Sequence, residues 1–135
     1  LTPEEAEARQ LRAEIEELET KERDLELERL EDEHSAAHPS SEVEGVDVPH
    51  VGIFVVRNPQ TAAWLEYRAK CEKKTVNATD EKTLVLGCLL HPAPEKAQEL
   101  FNKFPAAVTT LGNVVAELAG LKMKERDKRG RRASR

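Results

Sequence analysis

Leu84-Val85-Leu86-Gly87-Cys88-Leu89-Leu90 decides the reading of this chain. A run of positions with no polar side chain makes a helix that is apolar all round. Such a helix belongs at the centre of a core. Thr79-Asp80-Glu81 caps its start, and His91-Pro92-Ala93-Pro94 ends it. Gly87 inside it is expected to let a second helix come close.

The elements on either side are short. On the C-terminal side, Pro94-Glu95 opens a helix through Leu100 and Phe101 to Lys103. Pro105 starts the last helix, with Val108, Leu111, Val114, Val115 and Leu118 at helical spacing and Gly120 as its C-cap. On the N-terminal side, Asn58-Pro59 starts a helix that runs to about Lys74. Ala62, Leu65 and Ala69 form one stripe of it, widened by Trp64, Tyr67 and Cys71. Before it, His50-Val51-Gly52-Ile53-Phe54-Val55-Val56-Arg57 is the one convincing strand, β-branched and ended by Asn-Pro. A lone strand cannot satisfy its backbone groups, so it needs a partner. The candidates are Val43–Val48 folded back or a strand of another subunit, and no third strand is evident. Residues 35–49, with Pro39, Gly45 and Pro49, read as a linker that requires no packed structure.

Residues 1–34 read as one acidic helix. Thr2 caps it, Pro3 takes the first helical position, and no Gly or Pro interrupts it as far as His34. Leu11, Ile15, Leu18 and Leu25 lie on a heptad-like seam, with Ala8 extending it and Glu22 and Arg29 at the remaining seam positions. Leu27 and Leu30 fall off the seam. A stripe this narrow suits a short coiled coil, a helix laid on a neighbour or a solitary helix largely in solvent, and Leu11, Ile15, Leu18 and Leu25 are the candidate self-association residues. Because a linker follows, deletion of residues 1–34 is expected to leave the body folded.

The organisation is therefore an acidic helix (1–34), a linker (35–49), a small helical domain (50–121) and a basic tail (122–135). The fold class is mainly α, with one strand or hairpin. The net charge of −5 conceals opposed ends. Residues 1–34 hold 14 acids and 5 bases, whereas residues 122–135 hold 8 bases and 2 acids. Aromatics are only 4%, so the core is expected to be aliphatic. Two cysteines, Cys71 and Cys88, read as small buried side chains of a reducing compartment. No apolar run is long enough to span a membrane, and no signal peptide is evident, so a cytoplasmic protein is expected.

Chemistry that would mark an enzyme is missing from the pattern. His34, His38, His50 and His91 are scattered among linkers and helix ends. His34 and His38 are four apart, but Ser35 and Pro39 argue against one continuous helix there. No nucleophile context, glycine-rich phosphate loop or metal-ligand spacing occurs. No enzyme activity, cofactor or metal is expected. Asn77-Ala78-Thr79 matches a glycosylation pattern without a secretion signal to support it. The basic tail offers Lys122, Lys124, Arg126, Lys128, Arg129, Arg131 and Arg132 to phosphates or to acidic protein surface, without the aromatics that stack on bases.

Residues 53–120 carry a recognisable order of parts. Phe54-Val55-Val56-Arg57-Asn58-Pro59 is followed by Trp64-Leu65-Glu66-Tyr67-Arg68. A leucine-rich helix ends Cys88-Leu89-Leu90-His91-Pro92, and then come Pro94-Glu95, Phe104-Pro105 and Val114-Val115-Ala116-Glu117-Leu118-Ala119-Gly120. This resembles small tail assembly chaperones and related tail-module proteins of long-tailed bacteriophages. The pattern is one of hydrophobics and prolines and covers about half of the chain. The resemblance implies a non-catalytic, self-associating helical protein of the infected bacterial cell or of the virion. It also implies a partner, the helical tape measure protein, bound in an apolar groove; Trp64, Tyr67 and Leu65 are the candidate anchors, with ordinary core packing as the other reading of the two rings. The acidic helix and basic tail depart from the pattern and leave room for a structural role in the particle. Two other readings stand beside it: a coiled-coil adaptor built on residues 8–30, and a nucleic-acid binder acting through the tail.

Overall fold

A computed structural model describes residues 2–120. The chain runs α1 (Pro3–Ala37), β1 (Val43–Val48), β2 (Gly52–Arg57), α2 (Thr61–Glu72), α3 (Ala78–Cys88), β3 (Leu89–His91), α4 (Pro94–Lys103) and α5 (Ala106–Leu118). It is mainly helical, as expected, around a small antiparallel sheet of order β1-β2-β3.

The linker reading of residues 35–49 gives way to structure at both ends. The first helix passes through Ser35 to Ala37, so His34 and His38 do lie on one continuous helical end, with His38 as its C-cap. Every residue of β1 is buried. Val43 to Val48 folds back on β2 in the register Gly45 to Val55 and Val46 to Phe54, which supplies the pairing that the strand at 50–57 needs. The turn between them has Pro49 at its second position and His50 at its third with φ 66°, and Val51 N–H donates to the Val48 carbonyl. Proline presets the second position of such a turn, and positive φ at the third gives it a type II form.

Asn58 belongs to the hairpin and not to a helix cap. Its N–H donates to the Glu42 carbonyl, and its Oδ1 accepts from Glu42 N–H, each at 3.0 Å. The next helix therefore starts later, behind Gln60. Leu89–His91, read as the end of the apolar helix, leaves it to pair with Val55 and Val56 as the third strand. The cap of α3 is Asn77, in a reciprocal capping box with Asp80.

The sheet separates two apolar layers. On one face Val46, Val48, Phe54 and Val56 meet Leu84, Val85 and Cys88 of α3, Phe101 of α4 and Leu111, Val114 and Val115 of α5. Phe54 and Phe101 stack at 5.7 Å in this layer, so a ring pair sits inside a core expected to be aliphatic. On the other face Val43, Val55, Ile53 and Leu90 meet Leu30 of α1. Leu27 is 0% exposed, and its Cδ1 lies 2.8 Å from where a Cβ on Gly45 would stand. Glu31 accepts a hydrogen bond from the Gly45 N–H at 2.8 Å. Arg23 donates to the buried Asp47 carboxylate. Gly45 is thus the close-approach glycine beneath α1. Gly87, in contrast, faces open space.

The N-terminal helix is therefore part of the body from Arg23 onward. The packing argues against the expectation that residues 1–34 can be removed, because Leu27 and Leu30 each contribute roughly 1.5–3 kcal/mol of burial and cover one sheet face. A chain lacking residues 1–21 should keep a cooperative thermal transition, and a chain lacking 1–34 should lose it. Equal transitions for the two truncations would overturn this docking. Gly45→Ala should cost about 1–3 kcal/mol in denaturant unfolding, since its methyl must displace Leu27; an unchanged midpoint would show that α1 can lift.

Candidate functional site

The half of α1 before Thr20 is exposed along its whole length, and Thr20 borders a small cleft with Asp47, Pro49 and His50. Residues 2–23 are all exposed, whereas Leu27 and Leu30 are buried. At 1.5 Å per residue, the free part is an arm about 30 Å long. Leu11, Ile15, Leu18 and Leu25 are 54%, 53%, 60% and 67% exposed. At ~100° per residue, their stripe lies roughly 135° round the helix from Leu27 and Leu30. The helix thus has two apolar faces with separate uses. Leu27 and Leu30 hold the sheet, and the heptad seam points away from the body into solvent.

Charge along the arm is arranged on its flanks. Glu17 and Lys21 pair at 3.5 Å, and Arg29 pairs with Glu26 at 2.6 Å and Glu33 at 3.0 Å. All are exposed, and each such pair contributes little by itself. The Arg29 hydrogen bond holds the Glu26 carboxyl below its usual range and raises Arg29 in turn. A large solvated apolar stripe between charged flanks is the pattern of a contact surface.

The second candidate surface is α2, which has no buried residue and leans chiefly on α3. Trp64 and Tyr67 are half-buried and turned toward the core, stacked on each other at 6.0 Å, with Arg68 over the Trp64 ring. Leu65 points the other way and is 62% exposed, flanked by exposed Ala62 and Ala69. The predicted anchors are therefore split between two faces of one helix, with only Leu65 fully available. Between α2 and α3 lies a cleft of about 270 Å³ lined by Pro59, Ala63, Tyr67, Leu84, Gly87 and Cys88 among others. The 3.0 Å ion pair of Lys70 with Asp80 lies along it. That bond raises Lys70 and, with the Asn77 backbone, holds Asp80 low. Burial first, and Cys71 second, push Tyr67 up to about 12, and burial pushes Cys88 up to about 11. Both therefore keep their protons at neutral pH.

Two histidines read as scattered come together. His34 at the end of α1 and His91 of β3 have ring centroids 6.2 Å apart. Burial, and next the nearby His34, lower His91. Among the described residues no group of three or more His, Cys, Asp or Glu is placed to hold a metal ion. No described helix is long and apolar enough to cross a membrane. Asn77 is engaged as the α3 cap. Lys122, Lys124, Arg126, Lys128, Arg129, Arg131 and Arg132 lie outside the described residues. The sequence left open whether this helix stands alone in solvent or lies on a neighbour; its first part is in solvent and its end is docked. Comparison with known proteins finds no protein family, no characterised relative and no solved structure that matches this chain.

Proposed function

We propose that this chain is a non-enzymatic assembly protein that self-associates through the arm of α1 and holds a helical segment of a partner protein. The observation that carries the reading is the solvated seam of Leu11, Ile15, Leu18 and Leu25, facing away from a body that does not need it. Apolar side chains at heptad spacing on a projecting helix gain most by burial against another helix. The resemblance to tail assembly chaperones of long-tailed phages names the setting: an infected bacterial cell or the virion, with the tape measure protein as the helical partner. For that partner, α2 offers Leu65 between Ala62 and Ala69, small neighbours that allow a second helix to approach. Trp64 and Tyr67 back this surface from the core side. A coiled-coil adaptor would use the same arm and differ only in its cargo.

Light scattering on the full chain across a concentration series tests the arm. The expected result is a mass above that of one chain, reduced to one chain by Leu11→Glu with Leu18→Glu, at an unchanged thermal midpoint. A monomeric full chain, or a double variant of unaltered mass, would sink the reading. Binding of a helical tape measure peptide tests α2. Leu65→Glu should weaken it by ~10-fold or more, in keeping with a hot-spot side chain, without loss of stability. Trp64→Ala should instead lower stability by ~2 kcal/mol as a partly buried ring is lost. Peptide affinity indifferent to Leu65 would remove α2 as the partner surface.

A further inference from the structure

The geometry points to a second copy of this chain as the occupant of the seam, paired parallel and in register, with Glu22 as the residue that limits and specifies the pairing. The inference rests on the self-association proposed above and adds its partner, direction and weak point.

The seam assigns its own positions. With Leu11, Leu18 and Leu25 at d, positions a are Ala8, Ile15, Glu22 and Arg29. Within a parallel coil, a β-branched residue at a, here Ile15, with leucine at d favours two strands over three or four. In register, the layers along the arm from Ala8 to Leu25 match like with like, and every one is apolar except that at Glu22. The antiparallel alignment that sets Ile15 against Leu18 puts each Glu22 against Leu11 of the other copy. A carboxylate then faces a leucine in two layers, and the leucines lose their own partners. Parallel pairing confines the mismatch to one layer, between those of Leu18 and Leu25, where the two carboxylates face each other.

The flanks do not separate the two directions, because the antiparallel alignment also brings opposite charges together, Glu14 with Lys21 and Arg12 with Glu19. Across a parallel pair, a g residue meets the e residue five positions on in the other helix. Glu7 thereby meets Arg12 and Lys21 meets Glu26, opposite in sign, whereas Glu14 meets Glu19. Glu7 and Arg12 are exposed, and Glu26 already holds Arg29, so the first pairing has the freer groups. The body does not obstruct the pairing. Leu27, Leu30, Arg23 and Glu31 engage the sheet from the far side of the helix. Two bodies then sit at the same end of the paired arms, on opposite outer sides.

Glu22 sets the strength. A polar residue at a single a position fixes register at a cost in stability, and facing carboxylates add like-charge repulsion. The pair is therefore weak enough to form and part with concentration, which suits a protein that assembles on demand.

Disulfide trapping decides direction, because both registers can be probed with the full chain. Leu18→Cys alone, in a glutathione buffer, should form a covalent dimer, with the unaltered chain and its own Cys71 and Cys88 as the control. A mixture of Ile15→Cys and Leu18→Cys chains should give the two like-with-like products, joined 15–15 and 18–18, and little of the mixed 15–18 product. Dominance of the mixed product would overturn the parallel register. Glu22→Leu should lower the dimer dissociation constant by ~10-fold or more, as burial of a leucine layer replaces facing charges. An unchanged constant would remove Glu22 from the seam. Failure of the underlying reading looks different: the unaltered chain stays at one-chain mass at every concentration, and Leu18→Cys gives no more covalent dimer than the control.

Discussion

A three-stranded sheet has two faces, and in this chain each must be covered by a different kind of element. Several short helices cover one face. The other depends on a single contact, the docking of the C-terminal half of α1 across β1 and β2. Three groups make that docking specific. Leu27 fills the space above Gly45, where no side chain stands. Glu31 takes the Gly45 N–H. Arg23 meets the carboxylate of Asp47, which would otherwise be a charge buried against an apolar face. The apolar contact gives the stability, and the two polar ones fix how the helix lies on the sheet.

That docking also explains the arm. A helix without Gly or Pro from Pro3 to Ala37 is continuous, so fixing its second half fixes the direction of its first. The free part does not need contacts to be placed. It needs only to remain helical, which the capping of Thr2 on Glu5 and the charge pairs along its surface favour by modest amounts. An unsupported acidic helix of this length is marginal by itself. Burial of its seam against another helix would relieve that weakness.

Much of the fold could be read from periodicity, and the parts that could not share a cause. The helices over 94–103 and 106–118 follow their prolines and their apolar spacing. Val43–Val48 was one of two candidate partners for β2, and it stayed a candidate because Val-Glu-Gly-Val-Asp-Val carries two acids and a glycine, and polar residues in an alternating segment are read as solvent-facing. Here Glu44 and Asp47 are both buried, since β1 is covered on both faces and alternation no longer reports exposure. The third strand was hidden for the opposite reason. Leu89 and Leu90 continue an apolar run whose first part is helical, and a short apolar run has no period to mark where helix becomes strand. Leu27 and Leu30 were passed over because they fall off the heptad seam, although with His34 they share a helical face. The surface residues fared differently. The seam from Leu11 to Leu25 could be read directly because nothing in the body competes for it. Trp64 and Tyr67 could not be separated from Leu65 by composition, and only the lean of α2 on α3 assigns them to different sides.

The one described helix with no buried residue also carries Leu65, 62% exposed. Helix α2 has no buried residue, yet it is held at its C-terminal end by the Lys70–Asp80 pair and along its inner side by the Trp64–Tyr67 stack. A helix held in this way can adjust against a partner at small cost to the core, because none of the fully buried side chains belongs to it. The division of labour within the chain follows. Docking of α1 on the sheet gives rigidity and direction, the seam of the arm is left in solvent for the proposed pairing of copies, and α2 is left for the proposed helical partner.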